Sequence, residues 1–245
     1  MEENNFILIP AHNEGNVKRY VYTRSGKLQD RKHFRFEYLR RTIQEIKKTG
    51  FRGRIIVVND GSTDNTAQIA IEEGAEVINL RKRKGKAGAV FCGLAKIARS
   101  NPTSVLLMDA DLVECELSRY GQKHSEDIED LMRMTNKATQ DGKVLQVIAK
   151  VRERTKPWAI TEESGIRCFS KKAIRSIVRA TKGSVREFQL EDYLNQLFKH
   201  HTEHLWTKLN FRQPIQTRVA VTYQLRKVHR KLPKSAQIKP IPRHK

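Results

Sequence analysis

Cysteine is scarce in this chain. Cys92, Cys115 and Cys168 are widely separated, no Cys-x-x-Cys pair occurs, and the count is odd. That pattern argues against a disulfide framework and for a reduced, cytoplasmic setting, with each thiol otherwise readable as a small buried hydrophobe. Long apolar runs are missing too: none approaches the ~20 residues that span a bilayer. The opening Met1-Glu-Glu-Asn-Asn5 is acidic and polar, unlike a secretory signal. The expectation is a soluble protein, at most adsorbed at a membrane surface. Acidic residues are outnumbered, 27 against 48 Lys and Arg, and none follows Glu203. The resulting charge of +21 and pI near 10.1 call for anionic partners: a nucleotide, a nucleic acid or an anionic lipid face. Two nucleotide fingerprints are absent. Gly85-Lys-Ala-Gly-Ala-Val90 lacks the Lys-Ser/Thr ending of a P-loop, and no Gly-x-Gly-x-x-Gly opens a helix, which argues against an ATPase or a dehydrogenase. No internal repeat is visible.

What is present is a run of short apolar strands, each ending in polar residues. The chain of 245 residues is 38% hydrophobic, enough for one core with a polar periphery. Phe6–Pro10 reads as a first strand, followed by the loop Ala11-His-Asn-Glu-Gly15. Residues 16–36 are basic and show no periodicity, so a mobile insertion is expected. A helix over 37–49 places Leu39, Ile43 and Ile46 on one face and stops at Gly50. Arg54–Val58 is a second strand, 59–64 its turn, and 64–73 a helix ending at Gly74. Glu76–Leu80 is a third strand. The basic loop Arg81-Lys-Arg-Lys-Gly-Lys-Ala-Gly88 then opens a helix to about residue 99. The alternation of strand and helix predicts a parallel sheet with right-handed crossovers. Further on, the pattern gives a helix from Ser125 to Gly142 and a strand over 144–149. It then gives an extended piece after Glu163, a helix to about 180, a helical stripe at 190, 193, 194 and 197, and a last strand over 219–223. A basic tail, 224–245, closes the chain.

The chain is organised around Ser104-Val-Leu-Leu-Met-Asp-Ala-Asp-Leu112. In an extended backbone, residues two apart point the same way, so Asp109 and Asp111 leave the strand end together. Two acids so placed need a cation, and Mg²⁺ characteristically takes one or two carboxylates together with substrate phosphates. A strand cap followed by a turn also uses Asp, so the motif alone decides nothing. In an open parallel sheet, however, ligands bind outside the carboxyl ends of the strands. Loops 10–14, 59–64 and 109–111 all follow strands, so Glu14, Asp60, Asp109 and Asp111 gather on one edge beside the cationic loop 81–88. Carboxylates accept from ribose and base and hold metal; lysines and backbone N–H groups at a helix start cradle phosphates. The set describes a nucleoside-diphosphate site.

Four segments carry a resemblance: Ile-Leu-Ile-Pro-Ala-His-Asn-Glu (7–14), Val-Val-Asn-Asp-Gly-Ser-Thr-Asp (57–64), Lys-Gly-Lys-Ala-Gly-Ala (84–89) and Leu-Met-Asp-Ala-Asp-Leu (107–112). In this order and spacing they resemble the family 2 glycosyltransferases. Residues 163–170 and 188–193 look like that family's acceptor-side elements. Val-Ala-Val-Thr-Tyr-Gln-Leu-Arg (219–226) is similar to a strand of its polyprenyl-phosphate sugar transferases.

The resemblance implies a single-domain, Rossmann-like A-type fold, a mostly parallel central sheet flanked by helices. Residues 1–223 would form the catalytic domain, 1–112 the nucleotide-sugar half and 113–223 the acceptor half. Pro10, Ala11, Glu14, Val58 and Asp60 would line the nucleoside. Asp109, Ala110 and Asp111 would face diphosphate and a Mg²⁺ or Mn²⁺ ion, Asp111 as the direct ligand. Lys86 would approach the leaving phosphates. Glu191 and Asp192 stand where inverting members keep an acid pair, with Asp192 the general base. Partners would be a nucleotide-diphosphate sugar and an acceptor that the sequence does not identify; the basic tail and insertion read either as a solvated cationic surface or as a means of adsorbing to anionic lipid, the second suiting a lipid-phosphate acceptor. No specific nucleic acid is expected.

Departures are Asn59, where many members have Asp, Val113 and Glu114 after the second acid, and the long 16–36 insertion. Several features keep a plainer reading. Ser184 and Glu187 have capping-box spacing. Glu191 and Asp192 also suit a solvated helix face. His200, His201 and His204 suit a helix C-terminus better than a metal cluster. Trp158 and Trp206 suit either a sugar or a rim. The rival functions are a sugar-nucleotidyltransferase, whose glycine- and basic-rich signature after strand one is missing, and a non-catalytic nucleic-acid-binding protein suggested by charge alone.

Overall fold

The computed structural model describes residues 4–15, 17–22, 28–111, 133–139, 145–153, 156–161, 166–180 and 190–211. Its strands are β1 (Asn5–Ala11), β2 (Val17–Tyr22), β3 (Leu28–Phe36), β4 (Arg54–Asn59), β5 (Glu76–Asn79), β6 (Ser104–Leu107), β7 (Gln146–Glu153), β8 (Lys156–Thr161), β9 (Arg167–Ser170) and β10 (Thr202–Phe211). Its helices are α1 (Tyr38–Lys48), α2 (Thr66–Glu72), α3 (Gly85–Ala98), α4 (133–139), α5 (Lys171–Ala180) and α6 (Leu190–Leu197).

The main sheet runs in the order β10-β7-β9-β6-β1-β4-β5, with β8 on β7. The parallel run expected from the sequence covers β6-β1-β4-β5. Beyond it, β9 is antiparallel to both β6 and β7, and β10 is again parallel to β7. The sheet is therefore mixed, with its nucleotide half uniformly parallel.

Alternation along β1 builds the layers. Ile7 and Ile9 join Leu39, Ile43 and Ile46 of α1 and Ile69 of α2 on one face. Phe6 and Leu8 join Val90 and Leu94 of α3, Ile174 and Ile177 of α5, and Leu194 of α6 on the other. Burying each such side chain is worth roughly 1.5–3 kcal/mol. Helix α3 lies close against the sheet because Gly93 has no Cβ: one built there would stand 2.5 Å from Leu8 Cδ1 and 3.0 Å from Val58 Cγ2. Helix α1 carries its stripe at Leu39, Thr42, Ile43 and Ile46, all buried, and stops ahead of Gly50 as the pattern predicts.

Two expectations are corrected, and two strands are added. Within the expected patternless insertion, residues 17–22 and 28–36 form β2 and β3, which pair antiparallel as a separate two-stranded sheet. Val17, Tyr20, Val21 and Tyr22 favour strand, and the interleaved charges hid the alternation. Strands β8 and β10 were not anticipated. Pro157 makes β8 read as a turn, and β10 alternates Leu205, Thr207, Leu209, Phe211 among His and Lys. His204 accordingly lies in a strand, with His200 and His201 in the turn before it. Of the helix expected from Ser125 to Gly142, residues 133–139 are described, and they form α4. Ser125, Ser184, Glu187, Cys115, Val113, Glu114, the 219–223 strand and the 224–245 tail lie outside the described residues.

Candidate functional site

The carboxyl ends of β1, β4 and β6 open on one edge, and two loops there are stitched to each other. Thr66 Oγ1 accepts from the backbone N–H of Glu14 (2.9 Å) and of Gly15 (3.0 Å) and donates to Asp64 Oδ1. Asp64 Oδ2 accepts from Gly15 N–H at 3.1 Å. Asn13, held at φ 58, receives Thr63 N–H on Oδ1 (2.9 Å) and gives its own N–H to Ser62 Oγ (3.0 Å). The backbone N–H of Asp60 bonds Ala11 O at 2.9 Å, and His12 Nδ1 lies 2.8 Å from Asp60 O. Gly61 turns the chain at φ 66, where a Cβ would stand 3.0 Å from Arg83 N.

Asp60 is 3% exposed, and its carboxylate accepts from Lys84 N–H and Gly85 N–H, both at 2.7 Å. It clamps the start of α3 to β4. Of the helix-start N–H groups expected to cradle phosphate, these two are therefore already taken. Asn59 uses both ends of its amide: Oδ1 accepts from Ser62 N–H at 3.1 Å and Nδ2 donates to Asn79 Oδ1 at 2.9 Å, tying the turn to β5. An amide satisfies both partners as they stand, which gives Asn59 a structural reason at the position where Asp is commoner.

The remaining expected nucleoside residues sit at this edge in different ways. Pro10 is half-buried, and Ala11 is buried in the α1 layer. Val58 is wholly buried in the α3 layer, so its backbone rather than its side chain faces the edge. Glu14 is half-buried.

The acid motif is fixed from behind. Met108 N–H bonds Leu8 O at 3.0 Å, and the buried Thr42 hydroxyl donates to Ala110 O at 2.8 Å. Ala110 itself packs into the α1 layer, β6 ends at Leu107, and Ala110 and Asp111 lie in a turn rather than in extended strand, with Asp109 and Asp111 half-buried. Lys86, in the first turn of α3, places Nζ 2.8 Å from Asp109 Oδ1 and 3.1 Å from Glu191 Oε1. Burial works against its charge, but Asp109 and Glu191 outweigh it and hold the ammonium above its usual range. The structure thus brings Lys86, Asp109 and Glu191 together from the two halves of the chain. Asp192 is beside Glu191 in the first turn of α6, half-buried.

One turn further along α6, Asn195 Oδ1 accepts from Arg167 Nη1 at 2.7 Å, and Gln146 Oε1 accepts from the same nitrogen at 3.1 Å. Arg167 is fully buried, opposite Leu107 at the strand end before Asp109. This guanidinium and Thr42 were not singled out from sequence; a polar residue on an apolar stripe was the signal for Thr42. Cys168 is buried, which pushes its thiol up to about 12 and suits the plain hydrophobe reading.

Among the described residues no group of three or more His, Cys, Asp or Glu side chains forms a ready-made metal cage. Asp109 and Asp111 are both half-buried, and carboxylates are hard oxygen donors. That fits an ion of the Mg²⁺ or Mn²⁺ kind whose shell is completed by phosphate and water. No helix among the described residues is long and apolar enough to cross a membrane.

The sequence model of glycosyl transferase family 2 matches residues 33–114, which include β4, the Asp60 turn and the Asp109–Asp111 motif. The uncharacterized protein MJ1222 of Methanocaldococcus jannaschii is 27% identical over 128 residues, 52% of this chain and 40% of that protein. The chain thus spans well under half of that relative's length. Glucosyl-3-phosphoglycerate synthase of Mycobacterium tuberculosis superposes with a TM-score of 0.60 at 17% identity, covering 91% of this chain and 78% of that one. Its complex with Mn²⁺, uridine diphosphate and glucosyl-3-phosphoglycerate gives 0.58 at 17% identity, covering 91% and 77%. The fold is the A-type nucleotide-sugar transferase fold.

Proposed function

We propose that the chain is a family 2 glycosyltransferase that moves a sugar from a nucleoside-diphosphate sugar to an acceptor, inverting the anomeric centre, with Mg²⁺ or Mn²⁺. The observation that carries this reading is the junction of Asp109, Lys86 and Glu191 at the carboxyl edge. It joins the donor-side acid motif to an acid pair on α6, as a two-substrate transfer requires. Pro10, Ala11, Glu14, Val58 and Asp60 surround the nucleoside, Asp60 chiefly by fixing the 59–66 turn against α3. Asp111 and Asp109 hold the metal, which when bound offsets charge on the departing diphosphate. Lys86 adds a positive charge at the same place.

Asp192, next to Glu191 in the first turn of α6, is the base in this reading. Its carboxylate takes the acceptor's hydroxyl proton as that oxygen attacks the anomeric carbon and the bond to the diphosphate breaks. If the acceptor is itself a phosphate, its oxygen is already anionic and Asp192 orients rather than deprotonates. We favour an acceptor that carries a phosphate. The 219–226 resemblance suggests polyprenyl phosphate, which would also give the +21 charge a role at an anionic membrane face. The M. tuberculosis synthase structures hold phosphoglyceric acid instead.

The test is a panel of nucleotide sugars with Mn²⁺ or Mg²⁺, with polyprenyl phosphate and phosphoglycerate as alternative acceptors, read as nucleoside diphosphate release. One donor should be turned over, and Asp111→Ala should lose activity while staying folded. Full metal-dependent turnover by Asp111→Ala would remove the metal role assigned to it.

A further inference from the structure

Lys86 is placed where a metal-binding rim would least tolerate it. Its ammonium sits 2.8 Å from an oxygen of Asp109, one of the two carboxylates assigned to the divalent ion. The same ammonium is 3.1 Å from Glu191, which belongs to the opposite half of the chain. Asp109, Lys86 and Glu191 have side chains 30%, 31% and 25% exposed, so the cluster is reachable from solvent without unfolding. An ion pair in contact with solvent can exchange one partner for another without unfolding of the protein around it.

We propose that Lys86 is a built-in counter-ion of the donor site: it neutralises Asp109 and Glu191 in the free protein and is drawn off by the donor, which releases Glu191 toward the acceptor. The inference rests on the donor-site reading above. A divalent ion arriving alone at Asp109 meets an ammonium within a few ångströms, and like charges at that range repel. An ion arriving with a diphosphate brings anionic oxygens that offer Lys86 a new partner. Lys86 therefore discriminates between bare metal, which it opposes, and metal with diphosphate, which it favours. Its departure also frees Glu191, so donor binding precedes completion of the acceptor side.

The signature is a change of opposite sign for two ligands on one substitution. Lys86→Met should bind Mn²⁺ alone at least about tenfold more tightly than the unaltered chain, measured by electron paramagnetic resonance of free Mn²⁺. The same variant should bind uridine diphosphate with saturating Mn²⁺ more weakly, measured by calorimetry. Lys86→Arg, which keeps the charge, should retain the weak binding of bare Mn²⁺, and Lys86→Gln repeats the test with a polar side chain. If removing the charge leaves bare Mn²⁺ affinity unchanged or lower, Lys86 is no counter-ion and the proposal fails. If uridine diphosphate with Mn²⁺ does not bind the unaltered chain at all, the donor-site reading fails and this inference with it.

Discussion

Two stretches of the same sheet edge are held by different chemistry. Between β1 and β4, the loops are joined by Asn13, Asp64 and Thr66, each accepting a backbone N–H from across the gap, and Asp60 ties the β4 turn to the start of α3. Between β6 and α6, the link is the partly exposed pairing of Lys86 with Asp109 and Glu191. Hydrogen bonds to buried backbone are costly to break, because each orphaned group must be buried without a partner. Partly exposed ion pairs are cheap to exchange. The first stretch is built to keep its shape and the second to change partners, as expected if a nucleoside is received by a fixed cradle and a diphosphate by movable charges.

The contrast is broken most severely at Asp60. Asp60→Ala should cost roughly 2–4 kcal/mol, since two N–H groups at the start of α3 lose a charged acceptor. Urea denaturation measures this, and Asp60→Asn, which keeps one acceptor oxygen, should fall between. Next is Thr66→Val, which takes the hydroxyl acceptor from the N–H groups of Glu14 and Gly15, Gly15 keeping Asp64, and should cost about 1–2 kcal/mol. Lys86→Met lies on the other side of the comparison. It should destabilise less than Asp60→Ala, because it orphans no backbone group and its ion pairs are in part open to solvent. A loss as large as that of Asp60→Ala would show the two stretches to be built alike.

The smallest effect comes from a surface pair remote from both. Arg54, bonded to Glu76 at 2.5 Å and 2.7 Å, holds that carboxyl below its usual 4.5. A depressed folded value means stability present above pH 4.5 that is lost as pH falls through the lower folded value. Arg54→Gln should flatten that acid limb in thermal melts while leaving neutral-pH behaviour of the edge intact.

Much of this edge was legible before any coordinates. Strands whose apolar runs stop in Asn-Asp-Gly-Ser or Asp-Ala-Asp announce both their ends and their chemistry, and the parallel order of β6-β1-β4-β5 follows from the helices between them. The reversal at β9 was not legible, because an antiparallel strand of four residues, Arg167–Ser170, carries no directional mark in its sequence. Charged, alternating strands such as β2, β3 and β10 lose their pattern to Lys and Arg. Asp60 shows a different limit. Its residue type and position pointed to the edge, yet whether its carboxylate faces a ligand or a helix start depends on where Lys84 and Gly85 pack, a contact 24 residues away. The Lys86–Glu191 contact joins segments more than a hundred residues apart and was beyond any local pattern.

The most direct measurement is a calorimetric titration of uridine diphosphate into the protein, with Mn²⁺ and with the metal chelated. The account predicts binding that depends on Mn²⁺ and disappears in the Asp109→Ala, Asp111→Ala double variant, with the circular dichroism spectrum unchanged. Binding of equal strength under chelation, or unaltered in the double variant, would contradict it.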